Sequence, residues 1–310
     1  MDRKLLSVVL ALVAVLVFFI GIALIAPLIN PDLQLDETAL LRFVFVAIGL
    51  LIVFIVYWLT RTRKIWEVGT REVVYMAIGA ALYAIFSYLF NGTVFAVPSV
   101  SQVALRPAIA IPMFFGYAFG PAVGLFTGAV GNMFGDALTG FGLSPQWSVG
   151  NGLVGMIAGM AWLFEDKKKS INVVLILSII VAAIATVIFF LNRNQPNMLF
   201  FDPENNIFGD QQISLFAGLS AVVGLILVLA VRYAFGKNID VAAAVTWSML
   251  GNFLGIGFAA ISDIWINGFP PAVAIVGEFL PAAGPNMIFA AILVPILVAA
   301  YAAVQRQTGR

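Results

Sequence analysis

The chain contains no cysteine and no histidine, and only 10% of its 310 residues are charged. The lack of cysteine excludes disulfides, thiolate metal sites and thiol catalysis, and the lack of histidine excludes zinc sites and acid–base catalysis that depend on imidazole. A G-x-x-x-x-G-K-[ST] phosphate loop is also missing, so any ATP used must be hydrolysed by another chain. The net charge of +1 gives no field that would attract nucleic acid. We therefore expect no enzyme activity, no cofactor and no metal site.

Apolar residues are what the chain has in excess, at 62% of the sequence and a mean hydropathy of +1.06. A soluble domain is about half apolar and about one quarter charged. Apolar runs of about twenty residues recur along the chain, and this is the length that crosses the hydrocarbon core as a helix. The sequence therefore predicts an all-α, polytopic transmembrane helical bundle in the cell membrane.

The apolar runs predict about ten spans and an orientation. We expect the spans at about 5–28, 39–60, 73–91, 104–119, 121–139, 148–164, 171–191, 213–235, 241–262 and 280–303. The first could pass for a signal peptide, but its apolar run exceeds the usual length of about 7–15 residues, so we interpret it as a retained span. With both termini inside, thirteen of the sixteen Lys and Arg residues fall in inner segments, as the positive-inside rule requires.

Six polar side chains, five within the spans and Glu278 just before the last one, predict a binding cavity open to the outside, because all of them fall in the outer half of the membrane. They are Arg106, Asn132, Asp136, Asn151, Glu278 and Asn286. An ionisable residue inside a span is a candidate functional residue. Arg106 either extends to the interface or holds an anionic or carbonyl group of a ligand. Trp147 is either an interfacial anchor or a flat surface on which a ligand stacks.

Small residues recur every fourth position in two regions. The first is a glycine series at 116, 120, 124 and 128, repeated at 155 and 159. Such spacing lets helix backbones approach closely, so it indicates either tight packing alone or a rigid wall around the polar residues. The second region is a face of the third span that carries Ala77, Ala80, Ala81 and Ala84. This face either packs within the chain or docks another membrane protein.

Three stretches of the chain resemble the substrate-binding S components of energy-coupling factor (ECF) transporters, the vitamin-uptake modules of prokaryotes. They are LRPAIAIPMFFGYAFGPAVGLFTGAVGNMFGD, SVGNGLVGMIAGM and EFLPAAGPNMIFAAILVPIL. The resemblance covers roughly Arg71 to Phe164 and Val241 to Tyr301. It implies a six-span core with both termini in the cytoplasm and an outward-facing pocket, formed here by the expected spans three to six, nine and ten. The chain then divides into a two-helix hairpin at 1–66 and a substrate-binding domain at 72–310, with an inserted hairpin at about 171–236.

The resemblance also implies a function and partners. The chain would be the high-affinity substrate-binding subunit for ATP-driven uptake of a vitamin or related small metabolite, with a riboflavin-like compound as first candidate. A transmembrane coupling protein and ABC-type ATPases would be its partners in a prokaryotic cytoplasmic membrane. The substrate-binding residues would be Arg106, Asn132, Asp136, Trp147, Asn151, Glu278 and Asn286. S components dock their partner through A-x-x-x-A on the first core span, which favours docking at Ala77, Ala80, Ala81 and Ala84.

Two other functions compete with this one. In an ion-coupled secondary transporter, Asp136 or Glu278 would bind a proton or sodium ion, but such proteins usually carry inverted repeats, and the sequence shows no convincing repeat. A membrane enzyme acting on lipids would need a nucleophile or a metal cluster. The lack of histidine and cysteine argues against it.

Overall fold

The computed structural model describes residues 3–90, 106–140, 142–193, 201–202, 207–208 and 215–307. The end expected for the third span, at 91, and the starts expected for the fourth, at 104, and the eighth, at 213, lie outside these residues. The described part contains α1 (Arg3–Ile29), α2 (Ala39–Thr60), α3 (Thr70–Phe90), α4 (Ala110–Phe119), α5 (Pro121–Thr139), α6 (Pro145–Gly159), α7 (Lys167–Asn192), α8 (Leu215–Ala234), α9 (Ile239–Ile266), α10 (Pro271–Val273) and α11 (Leu280–Gln307). Short 3₁₀ turns cover Pro31–Leu33, Lys64–Trp66, Pro107–Ile109 and Met160–Leu163, and a π-helical turn, Ala274–Phe279, joins α10 to α11. Two short strands, β1 (Phe201–Asp202) and β2 (Ile207–Phe208), pair antiparallel.

The described part of every expected span falls on a helical segment, which confirms the all-α polytopic class. Six segments of the described chain are long and apolar enough to cross a membrane: α1, α2, α3, α7, α9 and the continuous stretch Pro271–Gln307. The segment with α4 and the described part of α8 are apolar but shorter. Helices α5 and α6 are not among these segments, and both contain many glycine and polar residues. These two helices lie inside the protein, where nearly all of their residues are buried, so they need little lipid-facing surface.

The centre of the bundle is formed by α5, α6 and α9, and glycines set how closely α4 and α5 approach α6. The glycine series is not one continuous stripe, because Gly120 ends α4 with φ +105° and Pro121 begins α5. A proline suits the first helical position, and a positive φ favours glycine. A Cβ atom on Gly116 of α4 or on Gly124 of α5 would collide with the carbonyl oxygen of Gly155 on α6. Helices α4 and α5 therefore both pack closely against α6.

The segments expected inside the cell meet at one end of the bundle, which we call the basic face. The Lys4 ammonium at the start of α1 donates to the carbonyl oxygens of Arg61 (3.1 Å) and Arg63 (2.7 Å) after α2. Arg63 pairs with Glu165 before α7 at 3.3 Å. Lys167 pairs with Asp240 at the start of α9 at 2.5 Å. The structure thus gathers the basic segments on a single side, while their placement toward the cytoplasm stays a prediction.

The first two helices pack on different neighbours rather than chiefly on each other. Phe18 of α1 makes an edge-on contact with Phe126 of α5, with ring centroids 5.6 Å apart. Phe45 of α2 packs on Phe258 of α9 at 6.4 Å. At the far end from the basic face, Asp36 accepts bonds from Thr38, and the bond from the Thr38 hydroxyl lowers the pKa of Asp36. Helices α1 and α2 therefore flank the central helices, and the boundary at residue 66 stays a prediction.

Candidate functional site

Four of the predicted residues form one hydrogen-bonded group, which we call the Arg106 cluster. Arg106 precedes the turn Pro107–Ile109, and its guanidinium donates to the side-chain oxygen of Asn132 at 2.6 Å and pairs with Asp136 at 3.3 Å. Asn132 and Asp136 are one turn apart on α5, and the Asn132 amide nitrogen donates to Asp136 at 2.8 Å. The sequence predicted that these two side chains share a helix face. Both residues lie in the second half of α5, away from its start beside Ile65 at the basic face.

Helices α6 and α3 complete the cluster. Asn151 of α6 donates to the side-chain oxygen of Asn132 at 3.2 Å and to the backbone carbonyl of Trp147 at 3.0 Å. Ser148 accepts from the Asn132 amide at 3.0 Å. Tyr83 of α3 lies with its hydroxyl 3.3 Å from the side-chain oxygens of both asparagines. The sequence analysis missed Tyr83 and Ser148. A signal was present for Tyr83, which follows Gly79 by one turn on the small-residue face that packs on α5.

The cluster is buried, and the charges of Arg106 and Asp136 offset each other within it. The side chains of Arg106 and Asp136 are 14% and 4% exposed. Removing two charges from water is costly, and the cost is offset only when the pair is close and its remaining groups are bonded. Here Asn132 bonds both partners and fixes their positions. A guanidinium can bind a carboxylate or carbonyl group of a ligand in the same way, and a binding role for the cluster stays a prediction.

Glu278 lies in a second group, which we call the Asp263 cluster. Asp263 near the end of α9 accepts from the Trp147 indole at 2.7 Å and from the Gln146 amide at 3.1 Å. The Glu278 carboxyl, on the π-helical turn, is a neighbour of the Asp263 carboxyl. Trp147 links this group to the Arg106 cluster, because its backbone carbonyl binds Asn151 and its indole binds Asp263. Glu278 therefore adjoins the Arg106 cluster through Trp147 instead of joining it directly.

Asn286 belongs to a third pair, deeper between α9 and α11. Its amide donates to the side-chain oxygen of Asn252 at 3.1 Å, and Asn252 donates to the backbone carbonyl of Ala283 at 2.6 Å. Both asparagines are buried. The six polar residues, expected to line one cavity, thus lie in three separate groups. The rotation and depth of each helix determine which side chains meet, and spacing along the chain defines neither.

Two cavities adjoin α3, away from both polar clusters. One, of about 980 Å³, lies at the basic face and is lined by residues that include Arg3, Lys64, Arg71, Trp162 and Tyr301. The other, of about 740 Å³, is an apolar groove between α1, α3 and α5. Among the described residues, no group of three or more acidic side chains is placed to hold a metal ion.

The four alanines expected to dock a partner all line the apolar groove, and they divide into two pairs by exposure. Ala77 and Ala81 are exposed. Ala80 and Ala84 are each 5% exposed and face α5, where a Cβ atom on Gly131 would lie 2.9 Å from the Ala80 carbonyl oxygen. A partner helix can therefore reach the first pair, whereas α5 already covers the second.

Comparison with known proteins bears on the segment that holds the Arg106 cluster. Residues 67–195, from the residues just before α3 to the end of α7, match the family model described as ECF-type riboflavin transporter, S component. The resemblance to the ECF S components is confirmed for this segment. The S-component match includes Arg106, Asn132, Asp136 and Asn151. It ends before Asp263 and Glu278, and it runs through α7, the first helix of the predicted inserted hairpin.

The chain is also similar to curated bacterial proteins that carry the name UPF0397 protein. A UPF0397 protein of Aliivibrio fischeri strain MJ11 is 34% identical over 119 residues, which are 35% of this chain and 63% of the relative. One of Aliivibrio salmonicida is 32% identical over 106 residues (34% and 56%), and one of Vibrio atlanticus is 38% identical over 92 residues (30% and 48%). The chain thus spans about half to just under two thirds of the curated relatives that it matches. No solved structure matches the chain.

Proposed function

We propose that the chain is the substrate-binding subunit of an ECF-type transporter and that it takes up a vitamin or related small metabolite. It binds the substrate from outside and passes it to a transmembrane coupling protein driven by ABC-type ATPases. The observation that carries the proposal is the S-component match over residues 67–195, because this segment contributes all the side chains of the Arg106 cluster.

The position of the cluster supports binding from outside. The Arg106 cluster lies at the end of the bundle opposite the basic face, and the positive-inside rule puts the basic face in the cytoplasm. The side chains offered to a ligand are a guanidinium, a carboxylate, two amides and a phenol. Such a set binds carbonyl and hydroxyl groups of a polar ring system, with few convergent polar groups in an apolar wall. A riboflavin-like compound is the first candidate, in keeping with the name of the matching family model.

The exposed pair on α3 supports docking of a partner. Ala77 and Ala81 are one turn apart, and their small side chains allow a second helix to approach the backbone closely. The nearby apolar groove gives that helix a surface with little polar area. We therefore expect the coupling protein to bind against α3.

Riboflavin binding to the purified full-length chain in lipid nanodiscs tests the proposal. Titration followed by quenching of flavin fluorescence should saturate. The substitution Asn151→Ala should weaken binding about tenfold or more, because it removes the amide that holds Asn132. Asn172→Ala is the matched control, since Asn172 bonds Arg232 near the basic face. If neither riboflavin nor any member of a panel of water-soluble vitamins binds, the proposal is wrong.

Uptake in cells separates the proposed function from the ion-coupled alternative. Cells that contain the chain, a coupling protein and ATPases should accumulate the bound vitamin. Accumulation should cease when the ATPases carry an inactivated phosphate loop. Uptake that persists with the inactive ATPases and stops when the ion gradients are collapsed would identify a secondary transporter instead.

A further inference from the structure

The Asp263 cluster contains two buried acidic side chains and two acceptor atoms that the described residues leave unbonded. Asp263 and Gln146 are each 1% exposed, and Glu278 is 7% exposed. Within the described part of the chain, neither Glu278 Oε2 nor Gln146 Oε1 has a hydrogen-bond partner. Leaving a buried acceptor without a donor costs about 1–3 kcal/mol, so each such atom in a native protein requires an explanation.

The hydrogen bonds around Asp263 define the charge of the cluster. Two neighbouring carboxyl groups in a buried site do not both ionise, so the Asp263–Glu278 pair carries at most one negative charge. Asp263 accepts from Gln146 and Trp147, which identifies it as the ionised partner. Glu278 then holds the proton, and its other oxygen is an acceptor. The cluster therefore offers one negative charge and two spare acceptors.

The cation that acts on Asp263 is already engaged elsewhere. Arg42 of α2 interacts with Asp263 through space, but its guanidinium donates to Thr38 at 2.9 Å and pairs with Asp36 at 3.3 Å. In the described part of the chain, no Lys or Arg forms an ion pair with Asp263 or Glu278. In this respect the cluster differs from Asp136, which is paired with Arg106.

We propose that the Asp263 cluster is a subsite for a protonated amine or similar cation that carries several N–H donors. Such a group supplies the one positive charge that neutralises Asp263 and the donors that Glu278 Oε2 and Gln146 Oε1 accept. A primary ammonium has three donors, which matches these two oxygens and the Asp263 carboxylate. An uncharged hydroxyl supplies one donor and no charge.

The inference deepens the proposed function, because it names a chemical feature of the substrate. Trp147 joins the two clusters, so one ligand that spans both would place a carbonyl or anionic group at Arg106 and an amine at Asp263. It rests on the proposed function only for this joint use. The affinity of the Asp263 cluster for an ammonium group is testable without any vitamin.

Methylammonium chloride is the probe, and tetramethylammonium chloride, which has the charge but no N–H donor, is its control. In the purified full-length chain, methylammonium should raise Tm in a saturable manner by roughly 2–4 °C, and tetramethylammonium at equal ionic strength should not. Asp263→Asn removes the negative charge and Glu278→Leu removes the acceptor oxygen, so each should abolish the rise. Asp240→Asn, a matched change in an ion pair at the basic face, should retain it.

Three results overturn the inference. They are an equal rise with tetramethylammonium or sodium chloride, a rise that persists in Asp263→Asn, and no saturable binding of radiolabelled methylammonium to the unmodified chain in equilibrium dialysis. The dialysis needs no variant, so it decides the matter even if both substituted chains fail to fold. A methylammonium effect without vitamin binding would reject only the proposed function, and vitamin binding without a methylammonium effect would reject only this inference.

Discussion

Asn132 is the central residue of the Arg106 cluster, because both the oxygen and the nitrogen of its side-chain amide form hydrogen bonds. Its oxygen accepts from Arg106 and Asn151, and its nitrogen donates to Asp136 and Ser148. A side chain with this many bonds has one orientation, and it fixes the orientation of its partners in turn. The guanidinium is thereby held in a defined position at the end of the bundle opposite the basic face.

Neutralising the acidic partner should lower the free energy of unfolding far more in the buried Arg106–Asp136 pair than in an exposed pair. Asp136→Asn leaves the Arg106 charge buried without its counter-ion, and breaking such a pair costs about 3–5 kcal/mol. Asp240→Asn breaks a pair whose acidic side chain is 50% exposed, and we expect a loss of at most about 1 kcal/mol. Thermal unfolding of the two purified variants measures the difference. Equal losses of Tm would show that the Arg106–Asp136 pair adds little to stability.

Residue spacing predicted the contacts within one helix and missed those between helices. Asn132 and Asp136 were expected on one face because they are four residues apart on α5. Nothing in the spacing indicates that Glu278 meets Asp263 rather than Arg106, since the two belong to different elements. Pro281 contributes to this outcome. It has no N–H for the Gly277 carbonyl, and a π-helical turn precedes it in which Leu280 bonds to Ile275, five residues back. The resulting rotation of Glu278 is a local backbone property that apolar periodicity does not reveal.

At the scale of elements, the α4–α5 turn explains how two short helices build the wall beside α6. The glycines were expected to permit close packing, and the structure agrees with that expectation. Their division between two helices follows from Gly120 and Pro121, which end one helix and begin the next. Because the backbones of α4, α5 and α6 nearly touch, α5 has little freedom to move Asn132 and Asp136.

An alanine scan of two glycines separates tight packing from ordinary helix propensity. Gly116→Ala places a methyl group against the Gly155 carbonyl oxygen, and we expect a loss of about 1–3 kcal/mol from overpacking. Gly21→Ala in α1 meets no atom within 4 Å, and we expect a gain of about 0.5–1 kcal/mol from the lower backbone entropy. Unfolding of the purified variants gives both values. If the Gly116→Ala chain is as stable as the unmodified one, α4 and α6 can move apart without loss of stability.

Over the whole molecule, polarity is divided between the two ends. The Arg106 and Asp263 clusters occupy one end, and the pairs of Lys4, Arg63 and Lys167 occupy the other. Composition alone predicted a helical membrane protein, and the distribution of basic residues predicted which segments share a side. The packing of α1 and α2 on separate central helices was not predictable, because their apolar faces are nearly featureless along the sequence.

Docking through α3 should be separable from substrate binding. The double substitution Ala77→Leu and Ala81→Leu puts two bulky side chains on the exposed face, and we expect it to reduce ATP-dependent uptake several-fold while vitamin affinity stays the same. Ala183→Leu, at an exposed alanine on α7, is the matched control and should leave uptake unchanged. Transport assays and binding titrations on the same variants provide the measurement. Unimpaired uptake in the double variant would place the coupling protein on another surface.

The absence of cysteine makes the orientation of the whole chain directly measurable, because any introduced thiol is the only one present. Gln34→Cys lies between α1 and α2, and Lys168→Cys lies at the start of α7 on the basic face; both positions are exposed. In intact cells a membrane-impermeant maleimide should label the first variant. It should label the second only after permeabilisation, because the positive-inside rule retains the lysine-rich segment in the cytoplasm. The reverse pattern would place the Arg106 cluster at the cytoplasmic end, and binding of a substrate from outside would then be impossible for this fold.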